Sequence, residues 1–189
     1  EILSGLVGSE MCIRDRFNPA HQRAGFARSI GASCIVSGSG QRMSTLNRIA
    51  SLLRHSMGLD VASVGMPLIE RAVSERMMRL GLNQDAYLLA LQSAPTELQE
   101  LIELVIVPET WFFRDREAIL SLARMAREQI AAQPERCVRV LSLPCSTGEE
   151  PYSVAMALLD AGIPPANFHI DAIDICHRSL ATAERGVYG

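Results

Sequence analysis

The residues able to do chemistry gather in three short runs. Thr110-Trp111-Phe112-Phe113-Arg114 holds the only Trp of the chain and two of its five Phe. Cys145-Ser146-Thr147-Gly148-Glu149-Glu150 is a string of small residues closed by two carboxylates, and Asp171-Ala172-Ile173-Asp174 ends an apolar stretch on an acid. Small residues let a ligand approach the backbone, so the second run has the character of a binding loop. It lacks the glycines of G-x-G-x-x-G and the lysine of a P-loop. Glutamates at the start of a helix suit the positive end of its dipole, but they repel a second anion there. A phosphate or pyrophosphate ligand is therefore disfavoured, and with it a nicotinamide-dinucleotide dehydrogenase. A cationic or zwitterionic ligand fits better.

Asp174 adds a second clue. An acid at the end of the second strand of a nucleotide-binding unit commonly accepts hydrogen bonds from ribose hydroxyls. Taken singly, Glu149 and Glu150 also read as ordinary helix N-terminal charges, and Asp174 as a cap for the segment that follows. Taken together in one frame, they favour a nucleoside with a positive, phosphate-free tail, a description that S-adenosylmethionine meets. A metal centre is not expected, because the four His are scattered and no two Cys form a C-x-x-C pair. With five Cys, an odd number, a disulfide framework is not expected either, and a reducing cytoplasm is the default location.

The elements that must position these runs follow from periodicity. Val138–Leu143 and Phe168–Asp174 are short and β-branched, and turn formers bound them, so they read as strands. Helices follow each, from Glu149 to about Leu159 and from His177 to Arg185, with Gly186 as terminator. Strand, helix, strand, helix predicts a parallel sheet. In such a sheet ligands bind beyond the carboxyl ends of the strands, where Cys145–Gly148 falls. Before the strands, Asp115 caps a helix with Ile119, Leu122, Ala126 and Ile130 inward. Earlier still, Met43–Val107 reads as four short helices, opened by Ser44, Pro67, Asp85 and Pro95. In the second of these, Leu68, Ile69, Ala72, Val73, Met77 and Leu80 face inward, and Glu70, Arg71, Glu75, Arg76 and Arg79 form the outer face.

The composition agrees with a globular protein. The 189 residues are 48% hydrophobic and 21% charged, with a formal net charge of −3, which argues against disorder and against general nucleic-acid binding. All 18 basic residues are Arg. No apolar run reaches the ~20 residues of a membrane span, since Glu100 and Glu103 interrupt the best candidate, Leu98–Val107. Residues 1–42 show no useful periodicity, and Ser9–Arg16 resembles a translated adaptor sequence. This stretch is read as a non-native or disordered extension. The chain stops just after a helix-like stretch, which reads as a truncation.

Ser146-Thr147-Gly148-Glu149-Glu150-Pro151-Tyr152-Ser153 resembles the signature of CheR-type methyltransferases, enzymes that methylate chemoreceptor glutamates with S-adenosylmethionine. Thr110–Arg114 resembles the T-x-F-F-R signature of that family. Ala172-Ile173-Asp174-Ile175, with Leu180, Ala181, Ala183 and Gly186-Val187-Tyr188, resembles a third. Gly58–Ser63 and Val107–Arg114 are most similar to the branch serving Wsp-type surface sensing and biofilm formation. The resemblance implies an α/β fold class: a small all-α receptor-docking domain (43–107), then the first half of a Rossmann-like S-adenosylmethionine-dependent domain (108–189). It places Thr110, Arg114, Glu150 and Asp174 on cofactor-contacting positions, with Arg114 also a candidate to orient the incoming carboxylate. It implies a monomer acting on the cytoplasmic helical region of a methyl-accepting chemoreceptor, without membrane insertion, and a fragment inactive by itself. The alternative is a non-catalytic receptor-binding helical module. Two positions depart from the pattern: Pro108 stands where the family often has Asn, and Cys176 where a second acid follows the strand. Trp111, Phe112 and Phe113 read equally as a pocket wall or as an interdomain hinge, and Tyr152 as a packed helix residue.

Overall fold

A computed structural model describes residues 11–15, 43–58 and 61–189. These form two compact units, one helical up to Val107 and one built from Met11–Asp15 together with Pro108–Gly189.

The helical unit contains α1 (Thr45–Met57), α2 (Val61–Val64), α3 (Met66–Leu80), α4 (Gln84–Ser93) and α5 (Pro95–Val105). Ser44 Oγ accepts from the Asn47 N–H at 3.2 Å and caps α1. Gly58 ends α1 in the left-handed region at φ 74°, a conformation that costs glycine little because it has no Cβ. Pro67 lies in the first turn of α3, where its missing N–H is no loss. Helix α4 starts one residue earlier than expected, because Asn83 Oδ1 accepts from the Ala86 N–H at 2.9 Å. Ile49, Leu53, Ile69, Val73, Tyr87, Leu101, Ile102 and Val105 are buried.

Three expectations for this unit are corrected. The single turn α2 makes five helices among the described residues instead of four; it is too short to show a period. Leu80 is 44% exposed, because it is the last residue of α3 and lies past the buried stripe. Arg76 is buried rather than on the outer face. Its Nε and Nη2 donate to the two Glu97 carboxylate oxygens at 2.9 and 2.6 Å. Nη1 reaches Glu100 at 3.2 Å, and the Tyr87 hydroxyl donates to Glu97 at 2.9 Å. A guanidinium can be buried only with such partners.

The second unit contains β1 (Met11–Asp15), α6 (Arg116–Ala132), β2 (Val138–Ser142), α7 (Glu149–Asp160), β3 (Phe168–Asp174) and α8 (His177–Arg185). Asp115 precedes α6, but its side chain makes no capping bond. The sheet is parallel throughout, in the order β1-β3-β2. The register sets Val138 beside Phe168, Ser142 beside Ala172 and Asp15 beside Asp174. Phe168, Ile170, Ala172 and Asp174 of β3 are buried, while the residues between them are only partly so. Ile119, Ala123, Tyr152, Leu158, Phe168 and Ile170 share one core with Met11, and Leu180 of α8 packs with Ala172 and Cys145.

The expected architecture, helices and then a parallel α/β unit, is therefore present. Within the stretch that showed no useful periodicity, Met11–Asp15 forms a third strand. The reason is the unpaired edge that β3 would otherwise present: Met11 and Ile13 supply apolar side chains on the core face, and Met11 is buried. Five residues are too few to show that alternation in the sequence. The remaining residues of that stretch lie outside those described.

Candidate cofactor site

Parallel strands bring the carboxyl ends of β2 and β3 to one edge of the sheet. Each ends on a residue that shapes the same loop. At the end of β2, the Ser142 hydroxyl donates to Glu150 Oε1 at 2.6 Å. At the end of β3, Asp174 Oδ2 accepts the Ser146 N–H at 2.7 Å, and Oδ1 accepts the Cys176 N–H at 2.9 Å. The Cys145 N–H donates to the Ile173 carbonyl at 2.9 Å, which fastens the loop to β3. The thiol of Cys145, in this loop, is buried. Burial, then the Asp174 carboxylate, with Glu150 adding to it, pushes that thiol up to about 12. Asp174 thus fastens the loop at Ser146, and Glu150 fastens the start of α7 to the end of β2.

The loop itself is tightly wound. Ser146 has φ 48° and Gly148 φ 102°. The Gly148 N–H donates to the Cys145 carbonyl at 3.0 Å, and the Gly148 carbonyl accepts the Tyr152 N–H at 3.1 Å to begin α7. A Cβ at Gly148 would lie 2.5 Å from the Tyr188 hydroxyl oxygen and 3.0 Å from the Ala183 Cα, so any side chain there must push these groups aside. The Thr147 hydroxyl donates to Glu149 Oε2 at 2.6 Å. Both glutamates fall in the first turn of α7.

The aromatic run joins this loop through one serine. The Phe113 N–H donates to Ser153 Oγ at 2.9 Å, and that hydroxyl donates on to the Glu149 carbonyl at 2.6 Å. Phe113 has φ 55°, a strained value for an aromatic residue that this bond helps to hold. Thr110 is half-buried at the start of the turn. Arg114 is exposed and bonds within its own loop: Nη1 donates to the Glu109 carbonyl at 2.7 Å, and the guanidinium sits 4.8 Å from the Trp111 ring centroid. Glu150 and Asp174 both bond to the connection between β2 and α7, at Ser142 and at Ser146. The turn that carries Arg114 is joined to the start of α7 through Phe113, Ser153 and the Glu149 carbonyl.

Ser142, Ser153 and Tyr188 carry contacts that sequence reasoning did not assign. Ser153 and Tyr188 lie within the quoted runs, and Ser142 is the last residue of its strand, so position was the available signal. Where the family's second acid would stand, Cys176 contributes its backbone N–H.

Two family models match this chain. Residues 44–106 match the CheR methyltransferase all-alpha domain, and residues 108–189 match the CheR methyltransferase SAM binding domain. The chain belongs to the CheR methyltransferase family. It is 51% identical over 145 residues to "Probable biofilm formation methyltransferase WspC" of Pseudomonas aeruginosa, an alignment covering 76% of this chain and 34% of that protein. It is 36% identical over 133 residues to "Chemotaxis protein methyltransferase 2" of the same organism, covering 69% and 47%. To "Chemotaxis protein methyltransferase" of Salmonella typhimurium it is 32% identical over 145 residues, covering 75% and 49%. The chain thus spans about a third to a half of the length of these relatives. Among the described residues no helix is long and apolar enough to cross a membrane.

The donor set fits the cofactor of this family. A carboxylate has about four acceptor sites, and backbone N–H groups use one on each oxygen of Asp174, leaving capacity for a ribose diol. Glu149 and Glu150 make the helix start negative, suited to a sulfonium and an ammonium and unsuited to a phosphate.

Proposed function

We propose that this protein transfers the methyl group of S-adenosylmethionine to glutamate side chains of a chemoreceptor-like partner. The observation that carries this reading is the anchoring of one loop by both acids, Glu150 at Ser142 and Asp174 at Ser146, in a loop continuous with the family signature. When bound, S-adenosylmethionine supplies a methyl group made electrophilic by its sulfonium. In this proposal Asp174 accepts hydrogen bonds from the ribose, Glu150 favours the cationic tail, and Thr110 and Arg114 complete the cofactor contacts. Arg114 also orients the incoming carboxylate, for which a guanidinium fork is suited. No general base is needed, because a glutamate with a pKa near ~4.3 is already ionised at neutral pH. Alignment and exclusion of water then set the rate, with Trp111, Phe112 and Phe113 walling the site.

Residues 43–107 are proposed as the receptor-docking domain, facing the cytoplasmic helical region of the receptor, and 108–189 as the cofactor domain. The docking surface is less basic than the sequence suggests. Arg76 is engaged in the core, and Arg79 pairs with Glu75 at 2.8 Å. Arg71 is exposed and is the better candidate for steering. The similarity to WspC supports a place in biofilm formation; action in surface sensing, from the cytoplasm, is part of the same proposal. The protein is expected to act as a monomer, and the chain as it stands to bind cofactor without turnover.

The test is methylation of receptor cytoplasmic fragments by the complete protein with tritiated S-adenosylmethionine. Label released by mild base as methanol is the expected signature of a glutamate methyl ester. Base-stable label, or none, refutes the proposal.

A further inference from the structure

Resting on the cofactor site proposed above, we infer that Tyr188 is a positioning residue for it, a brace that holds the Cys145–Gly148 loop in its binding conformation. The Tyr188 hydroxyl donates to the Thr147 carbonyl at 2.7 Å. That carbonyl belongs to the peptide leading into Gly148, whose left-handed turn launches α7. The Tyr188 ring stands edge-on to Phe112, with centroids 4.9 Å apart, and edge-on to Tyr152, at 5.7 Å. One side chain therefore touches two of the three motif runs, the aromatic turn through Phe112 and the acidic loop through Thr147, and the first turn of α7 through Tyr152.

The approach depends on a missing side chain. A Cβ on Gly148 would lie 2.5 Å from the Tyr188 hydroxyl oxygen, so the glycine makes room for the bond. A second tie runs beside it, since the Tyr152 hydroxyl donates to the Ala183 carbonyl of α8 at 2.9 Å. Burial keeps the Tyr188 phenol protonated well above neutral pH, so it remains a donor. The role differs from plain packing because the bond goes to a loop carbonyl that, among the described residues, has no backbone partner of its own. On one side of that carbonyl, the Ser146 N–H is held by Asp174. On the other, the Thr147 hydroxyl is held by Glu149. Releasing Tyr188 loosens the loop between these two anchors.

The experiment compares the wild-type chain with Tyr188→Phe, which keeps the ring and removes the hydroxyl. Amide hydrogen exchange is read at Ser146 and Gly148 in the loop and at Ile170 and Ala172 in β3, and S-adenosylhomocysteine is titrated calorimetrically. Loss of one hydrogen bond predicts ~10-fold faster loop exchange and ~10-fold weaker binding, with exchange in β3 unchanged. Equal loop exchange in the two proteins overturns the brace. So does a uniform rise across loop and strand, which would make Tyr188 a general packing residue. If the wild type binds no S-adenosylhomocysteine, the cofactor reading fails, while loop exchange still decides whether Tyr188 holds the loop.

Discussion

Replacing Glu97 by Ala should destabilise the helical unit far more than any surface charge change. The Glu97 carboxylate takes two bonds from Arg76 and one from Tyr87, and the side chains of Arg76 and Glu97 are each 10% exposed. Truncating one partner of a buried pair leaves the other charge uncompensated, which costs about 3–5 kcal/mol. Glu100, at 3.2 Å and 43% exposed, keeps part of the compensation, so a loss near the lower limit is expected. With urea m-values of about 1–3 kcal/mol/M, such a loss moves the midpoint down by at least about 1 M. Helical circular dichroism during urea unfolding reads it. Arg79→Ala, which breaks an exposed pair, should cost about 1 kcal/mol or less. The double variant Arg76→Met/Glu97→Leu should recover most of the loss, because apolar replacement of a buried pair is often neutral or better. The Arg76 bonds hold the Glu97 carboxyl below its ordinary value of 4.5. Its contribution is therefore complete above that pH and is lost as pH falls through the lowered value. The difference between wild type and variant should shrink on acidification. A Glu97→Ala effect no larger than that of Arg79→Ala would refute the assignment of this pair to the core.

Two further outcomes follow from the loop. Gly148→Ala places a Cβ at positive φ against Tyr188 and the Ala183 backbone; the strain and overpacking should cost about 2–5 kcal/mol, read by thermal unfolding, and abolish S-adenosylhomocysteine binding. Cys145, raised to about 12 by burial and the nearby acids, should resist iodoacetamide at pH 8 while exposed Cys137 reacts, as peptide mass spectrometry would show.

Much of the second unit was legible because its signals are local. Phe168–Asp174 and His177–Arg185 have turn formers at both ends, and the structure keeps both bounds. The acids of the site were legible because strand ends and helix starts fix where a residue goes. Tertiary choices were not legible. Arg76 follows a polar helical pattern and gives no sign that Glu97, on another helix, will bury it. Met11–Asp15 becomes a strand because β3 offers an edge. The roles of Ser153 and Tyr188 depend on which carbonyl or amide comes within reach, which spacing alone does not specify.

The central claim is that Asp174 and Glu150 build a site for an adenosyl cation and not for a dinucleotide. Calorimetric titration of S-adenosylhomocysteine and of NAD into the chain, with Asp174→Asn alongside, tests it most directly. Saturable binding of S-adenosylhomocysteine, weakened at least ~10-fold in Asp174→Asn by loss of a charged acceptor, and no binding of NAD are predicted. NAD binding equal to that of S-adenosylhomocysteine, or an unchanged affinity in Asp174→Asn, would contradict the account.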